Sequence, residues 1–149
     1  MMATESIAEI SLELGRALNE MRSMLRERIQ AKIISYDPEL SFELLEIIGL
    51  LWRKDGITQQ EIADHVSKDK SSMTYLINRL VKCKLVKRTE HESDKRHKRI
   101  YLTEKGKQVR KTVFPWILEL YEQSAGDHSI VELKKAVTLV KKMTENLSQ

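Results

Sequence analysis

The chain has 149 residues, 41% of them hydrophobic, and carries 26 Lys and Arg against 22 Asp and Glu. This length suits one domain, whereas five Gly, two Pro and one Cys argue against a loop-rich or disulfide-stabilised fold. The N-terminus lacks the pattern of a signal peptide and no run reaches roughly 18 apolar residues, so we expect a soluble cytoplasmic protein without a membrane partner.

The first third of the chain predicts two helices. Apolar residues recur at three-and-four spacing from Ile7 to Ile29, which indicates a long amphipathic helix ending near Lys32. Pro38 suits a first helical turn, and the apolar run that follows it predicts a second, more buried helix. That helix is expected to stop at the sequence KDG, residues 54–56.

Two short helices are predicted next. Thr58 precedes Glu61 by three residues, which is the spacing of a capping box, and Asp69 is a good N-cap for the helix after it. One face of that second helix is apolar: Met73, Leu76, Ile77 and Leu80. The opposite face is rich in hydrogen-bonding groups: Ser71, Thr74, Tyr75, Asn78 and Lys82. The pair is typical of a helix-turn-helix.

A charged loop follows between two short apolar segments. Ten of the 12 positions 87–98 carry a charged residue or a histidine, eight of them Lys, Arg, Asp or Glu and two of them His. The sequences LVKRT and RIYLT on either side of this loop indicate the strands of a hairpin. Residues 68–111 carry 15 Lys and Arg against 5 Asp and Glu, whereas both flanking segments are mildly acidic. A basic block of this kind is typical of a surface that meets a polyanion.

The last third of the chain predicts two more helices. Thr103 is placed to cap a helix that extends through Pro115, and a second helix begins near Ile130. The first and last helices together carry more apolar surface than a lobe of about 70 residues covers, and exposed patches of that size usually mark an interface. We therefore expect a homodimer.

Residues 62–106 resemble the MarR family of bacterial transcription regulators. The resemblance is carried by DKSS at 69–72, RL at 79–80, LVKR at 85–88, DKR at 94–96 and LTEKG at 102–106. It implies a mostly α fold with a small β-hairpin, an α+β winged helix. The winged helix-turn-helix lobe would span 37–111 between dimerisation helices at 1–34 and 112–149. Lys84 stands where the family usually has Gly, so a left-handed conformation there is expected to cost about 1 kcal/mol.

The resemblance also implies double-stranded DNA as the partner, bound by a sequence-specific transcription regulator. From the chemistry of the side chains we expect base or nearby phosphate contacts from Ser71, Ser72, Tyr75 and Asn78, with Thr74 on the same face. Phosphate contacts are expected from Lys70, Arg79, Lys82, Lys95, Lys98 and Arg99. By analogy with the wing of the family, Arg96 is the minor-groove residue.

The family also implies a repressor of a pseudo-palindromic operator, released by a phenolic or lipophilic effector. Six residues that such a cavity could use are Met21, Met24, Tyr36, Phe42, Trp52 and Trp116, although residues at their spacing are more often core. The sequence names neither the effector nor the operator, and it leaves the choice between repression and activation open.

Other kinds of site are poorly supported. The cluster of Glu90, His91, Glu92, Asp94 and His97 lacks the ligand spacing of a zinc site, so we expect no metal and no cofactor. No nucleophile elbow, phosphate loop or paired catalytic carboxylates occur, so we expect no enzyme. Two rival functions stay open, a winged-helix module that binds an acidic protein and an RNA-binding module. A redox role for Cys83 also stays open.

Overall fold

The computed structural model describes residues 4–66, 69–89 and 98–149, with the side chain of Lys70 excepted. Six helices and three short strands lie within these ranges. In chain order they are α1 (Ile7–Tyr36), α2 (Phe42–Arg53), β1 (Ile57–Thr58), α3 (Gln59–Val66), α4 (Lys70–Lys82), β2 (Val86–Thr89), β3 (Arg99–Leu102), α5 (Glu104–Ala125) and α6 (Ile130–Leu147). The predicted fold class, a mostly helical winged helix, is confirmed.

Helices α1 and α2 begin at serine caps. Ser6 Oγ accepts from the Glu9 amide at 3.1 Å while a Glu9 carboxylate oxygen accepts from the Ser6 amide at 2.9 Å, which completes a capping box. Helix α1 ends at Tyr36, a full turn later than expected. Pro38 lies in the turn between the helices, so its predicted place in a first helical turn is wrong. Ser41 caps α2 instead, because its hydroxyl accepts from the Leu44 amide at 3.3 Å.

The strands form one antiparallel sheet in the order β1-β3-β2. In the predicted hairpin, Val86 pairs with Leu102 and Thr89 with Arg99. The third strand was not expected from the sequence. Ile57 pairs with Ile100, which places β1 on the other side of β3 and joins the start of α3 to the hairpin.

The chain turns sharply between α4 and β2. Lys84 has a φ of 61°, and it is the one non-glycine residue with positive φ among those described, so the chain adopts the left-handed conformation here although lysine stands where the family usually has glycine. The Leu85 amide donates to the Leu80 carbonyl at 2.9 Å, which ends the helix. Helix α5 starts against this turn. A side chain at Gly106 would place its Cβ 2.2 Å from the Leu85 carbonyl oxygen, so only glycine fits there.

The core joins α1, α2, α3, α4 and the sheet. Its fully buried side chains come from every one of these elements: Ile33, Leu44, Ile47, Ile48, Leu51, Ile62, Met73, Ile77, Leu80, Leu85, Ile100 and Val113, the last from α5. Among the described residues no polar side chain is buried in this way. Burial of aliphatic groups on this scale is the main stabilising contribution to the lobe that holds α4 in place.

The chain divides into two compact units, residues 1–117 and 118–149, with the division inside α5. The first unit contains the sheet and α1 to α4. The second contains the end of α5 and all of α6, which is described over its whole length and has no buried residue. Within the described ranges, no helix combines the length and apolarity that crossing a membrane requires.

Candidate nucleic-acid interface

Helix α4 begins at a carboxylate cap. Asp69 Oδ1 accepts from the Ser72 amide at 2.7 Å, and its Oδ2 accepts from the Ser72 hydroxyl at 3.1 Å. These bonds, the backbone one foremost, lower the pKa of Asp69, so the cap is ionised at neutral pH. The predicted N-cap is confirmed. Because the Ser72 hydroxyl donates its proton to Asp69, it is not free to donate elsewhere. Ser72 is also half-buried, whereas Ser71 is exposed.

The two predicted faces of α4 are both present. Met73, Ile77 and Leu80 have no exposed surface, and Leu76 is buried as well. The opposite face is exposed at Ser71, Thr74, Tyr75, Asn78 and Lys82. Tyr75 has 59% of its surface exposed. The helix therefore presents a row of hydroxyl, amide and ammonium groups to solvent on a rigid, core-anchored support.

Neighbouring elements hold two of these outward side chains. Gln59, in the first turn of α3, donates from Nε2 to the Thr74 hydroxyl at 2.9 Å. Arg88, on β2, donates from Nη2 to Oδ1 of Asn78. Each contact fixes a side chain that would otherwise rotate freely, so the face has a defined arrangement of donors and acceptors.

Arg79 ties α4 to the turn between α1 and α2. Its Nη2 donates to the Glu39 carbonyl at 3.0 Å, and its Nη1 lies 3.4 Å from the Tyr75 hydroxyl, which it meets as a donor. The side chain is half-buried. The sequence predicted mostly phosphate contacts for Arg79, and the structure adds an internal role for its guanidinium.

The C-terminal end of α4 is covered by polar contacts. Cys83 is half-buried, and burial raises the pKa of its thiol, as does the hydrogen bond from Sγ to a Glu39 carboxylate oxygen at 3.5 Å. Lys105 donates to the Cys83 carbonyl at 3.0 Å. A protonated thiol is a poor nucleophile, so these contacts favour a structural role for Cys83.

The sheet carries the predicted wing. Lys95, Arg96 and the histidine and carboxylate cluster at 90–97 lie outside the described residues. Lys98 is exposed just before β3. Arg99 is exposed on β3 and donates from Nη1 to the Gly56 carbonyl at 2.8 Å, which leaves its other N–H groups for further contacts. Within the described ranges, no cluster of His, Cys, Asp and Glu could hold a metal.

Sequence reasoning missed Arg88 and Gln59. Arg88 lies on the same side of β2 as buried Val86, whereas Lys87 between them is exposed, so strand alternation directs Arg88 toward α4. That alternation was available in the sequence. The contact of Gln59 with Thr74 had no such signal, because it depends on how α3 packs against α4.

Comparisons with known proteins agree with this geometry. Residues 40–98 match the model of the MarR family. The chain is 29% identical over 72 residues to the HTH-type transcriptional regulator TtmR of Methylorubrum extorquens (strain PA1). That alignment spans 48% of this chain and 37% of the relative, so this chain covers well under two thirds of its length.

Solved structures with the same fold include a MarR transcriptional regulator from Methanosarcina mazei Go1. It is 26% identical with a TM-score of 0.78, and the match covers 89% of this chain and 88% of that one. The MepR–DNA complex of S. aureus is similar at 21% identity and a TM-score of 0.78, covering 90% of this chain and 97% of that one. These findings confirm the family resemblance carried by residues 62–106.

Proposed function

We propose that the chain, whose residues 40–98 match the model of the MarR family, is a sequence-specific regulator of transcription that binds double-stranded DNA in the cytoplasm. The observation that carries the proposal is the outward face of α4. Its apolar side is anchored in the core, and its polar side exposes groups of the kind that read base edges and phosphates. We call α4 the recognition helix from here on.

The roles of individual residues follow from their chemistry and exposure. Ser71, Tyr75 and Asn78 face bases in the major groove, with Thr74 and Ser72 near the adjoining backbone. Phosphates are met by Lys70, Arg79, Lys82, Lys95, Lys98 and Arg99, while Arg96 enters the minor groove. Arg79 and Arg99 each use part of the guanidinium for a hydrogen bond within the chain. Their other N–H groups donate to phosphates.

A homodimer is supported by apolar side chains that the single chain leaves exposed. In α1 they include Ile7 at 88%, Leu12 at 55% and Met24 at 57% exposure. In the second unit they include Ile130 at 70% and Val131 at 62%. Faces of this kind are usually covered by a partner, and a second copy of the chain is the partner proposed. A two-fold dimer places two recognition helices about 10 base pairs apart on a pseudo-palindromic operator.

Release by a small molecule is supported by a cavity of about 420 Å³ between α2, α3 and α5. Arg110 lies in its wall, with Cζ 3.3 Å from the ring centre of Phe114 and 4.9 Å from that of Trp52. Its Nε is buried and has no hydrogen-bond partner within the described part of the chain. Burial, and then the nearby charge of Arg53, lowers the pKa of Arg110.

An underpaired cation in a partly apolar wall favours an acidic effector with an apolar body. The remaining lining combines three polar side chains, Glu46, Arg53 and His65, with an aliphatic set: Leu45, Ile48, Leu50, Val66, Val113 and Ile117. Arg53 adds a second cation to the wall, whereas the carboxylate of Glu46 already pairs with Arg22 at 3.1 Å. A carboxylate or phenolate bound at Arg110 would restore the charge balance that burial disturbs. The six residues that the sequence left as possible lining, Trp52 included, do not line this cavity.

Selection of bound duplexes from a random library tests the DNA-binding function. We expect one pseudo-palindromic sequence, bound with a steep dependence on salt. A module for an acidic protein would show no preference among duplexes, and an RNA-binding module would favour single-stranded or A-form targets over the selected duplex. A reporter gene with the selected site over its promoter then tells repression, the proposed outcome, from activation.

Two further measurements test the dimer and the effector. Sedimentation at micromolar concentration should give a dimer, and a monomer would contradict this part of the proposal. Benzoate should lower the affinity for the selected duplex, whereas benzyl alcohol, which has the same ring without the charge, should act far more weakly. Equal effects of the two compounds would show that the cavity does not select acids.

A further inference from the structure

The side chains of Asn78 and Arg88 join the recognition helix to the first strand of the wing. Asn78 is exposed and accepts from Arg88 through its amide oxygen, while Arg88 is half-buried. A guanidinium has donors only, so the amide must turn its oxygen toward Arg88. The NH₂ group of Asn78 is then the part of the amide that is left to face outward.

We infer that Arg88 sets which base Asn78 reads, and that this base is guanine. An unconstrained asparagine pairs with adenine, because its oxygen accepts from N6 while its NH₂ donates to N7. One lone pair of the Asn78 oxygen already accepts from a cation. That cation disfavours the approach of a second donor such as adenine N6 to the other lone pair, so the amide acts mainly as a donor. Guanine presents two acceptors in the major groove, O6 and N7, whereas adenine places a donor beside its acceptor.

The guanidinium of Arg88 strengthens the preference for guanine because it lies next to the Asn78 amide. A guanidinium carries five N–H donors and one of them serves Asn78, so the others lie close to the amide. Their positive charge attracts the acceptor-rich edge of guanine and repels the amino group of adenine. The inference rests on the proposed function, since it assumes that α4 enters the major groove.

The sheet makes Arg88 a positioning residue instead of a mobile surface cation. Its backbone pairs with that of Ile100, which is fully buried, so the start of the side chain is fixed by the core. Lys87 is the matched control, because it is the preceding residue of the same strand, is also cationic and is exposed on the other face.

Selection from random duplexes with the full chain and four variants tests the inference. Asn78→Ala identifies the base position that Asn78 reads, which should be guanine for the parent. Arg88→Ala should move the preference at that position toward adenine by on the order of tenfold. Arg88→Lys keeps a cationic donor and should retain guanine. Lys87→Ala should leave every base preference unchanged and weaken binding to all duplexes alike.

Altered bases in the selected duplex provide a test that needs no variant of Arg88. Replacing the guanine by 7-deazaguanine removes the N7 acceptor, so affinity of the parent chain should fall several-fold. Inosine is the control, because it keeps O6 and N7 and lacks only the minor-groove amino group. It should bind as tightly as guanine. Equal affinity for the 7-deazaguanine and guanine duplexes would overturn the inference.

The other outcomes separate this inference from the proposed function. If the parent selects adenine at the Asn78 position, or if folded Arg88→Ala selects the same base as the parent, Arg88 does not set the base. The DNA-binding function would then still stand. If the parent selects no duplex sequence at all, the proposed function fails and this inference fails with it.

Discussion

Thr103 and Lys84 are joined by a hydrogen bond across the base of the wing. The Thr103 hydroxyl donates to the Lys84 carbonyl at 2.6 Å, and the same oxygen accepts from the Gly106 amide at 3.1 Å. One side chain therefore caps α5 and holds the turn that ends the recognition helix. The second hairpin strand ends just before Thr103, so three elements meet at this residue.

Thr103→Val should destabilise the chain by about 1–2 kcal/mol, because it removes both bonds while keeping the shape of the side chain. For a chain of this length the unfolding midpoint should fall by roughly 2–8 °C. Thr112→Val is the matched control. Its hydroxyl donates to the Gln108 backbone carbonyl and accepts from the Gln108 side-chain Nε2, its partners among the described residues, and both lie within the same helix. The midpoint of this variant should therefore change little. Equal shifts for the two variants would contradict the role given to Thr103.

Lys84→Gly should stabilise the chain, because glycine adopts a φ of 61° without the steric cost that a Cβ brings. The gain is about 1 kcal/mol, or roughly 2–4 °C in the unfolding midpoint. Lys84→Ala removes the same charge and keeps the Cβ, so it should show no such gain. A lower midpoint for Lys84→Gly than for Lys84→Ala would contradict the cost assigned to this turn.

The cap at Asp69 should make stability depend on pH in the acid range. Its pKa is lower in the folded chain than in the unfolded chain, so the ionised cap stabilises the fold above the unfolded pKa. That contribution is lost as pH falls through the folded pKa. Asp69→Asn keeps a capping oxygen that does not titrate. The midpoint advantage of the parent over this variant should therefore shrink between about pH 5 and pH 2.

The control for Asp69 is Glu122→Gln, which removes a carboxylate from the exposed part of α5. Its midpoint should follow the parent across the same pH range. If Asp69→Asn also keeps a constant difference from the parent down to about pH 2, the cap does not contribute through its charge.

Arg96→Ala should lower affinity for the selected operator by about 1–3 kcal/mol per half-site and weaken the preference for A·T pairs at its flanks. A guanidinium is favoured by the negative potential of a narrow minor groove, which alanine cannot use. Fluorescence anisotropy with flank-substituted duplexes measures both effects. A folded dimeric variant with parental affinity and flank preference would show that the wing does not read DNA.

Lys98→Ala should weaken specific and non-specific binding alike, because Lys98 is exposed just before β3 and is proposed to meet a phosphate. The log–log slope of affinity against salt should flatten by about 2 for the dimer. The flank preference should stay as in the parent, which distinguishes this variant from Arg96→Ala. An unchanged slope would exclude a phosphate contact at Lys98.

The sequence predicted what depends on local pattern. The buried face of α4, the Asp69 cap and the hairpin strands all follow from spacing and capping rules that act over a few residues. Strand β1 was missed because a two-residue strand is too short to show the alternation of apolar and polar residues that identifies a strand in a sequence. Ile57 is part of a strand because it pairs with Ile100, which lies far along the chain.

The tertiary contacts of the site could not be predicted from the sequence either, because they join residues that are far apart along the chain. Arg79 meets the Glu39 carbonyl across 40 residues, and Gln59 meets Thr74 across 15, and both contacts depend on how helices pack. The prediction for Pro38 was wrong for a different reason, because there a local pattern was present and was misleading. A proline at a first helical turn is a common local pattern, yet the capping hydroxyl of Ser41 lets α2 begin later.

The contacts of Glu39 matter for anyone who engineers this chain. Surface turns are ordinarily where inserted tags are best tolerated, and the turn between α1 and α2 would look suitable. Its backbone, however, holds Arg79 and its Glu39 side chain meets Cys83, so an insertion there would disturb the recognition helix from behind.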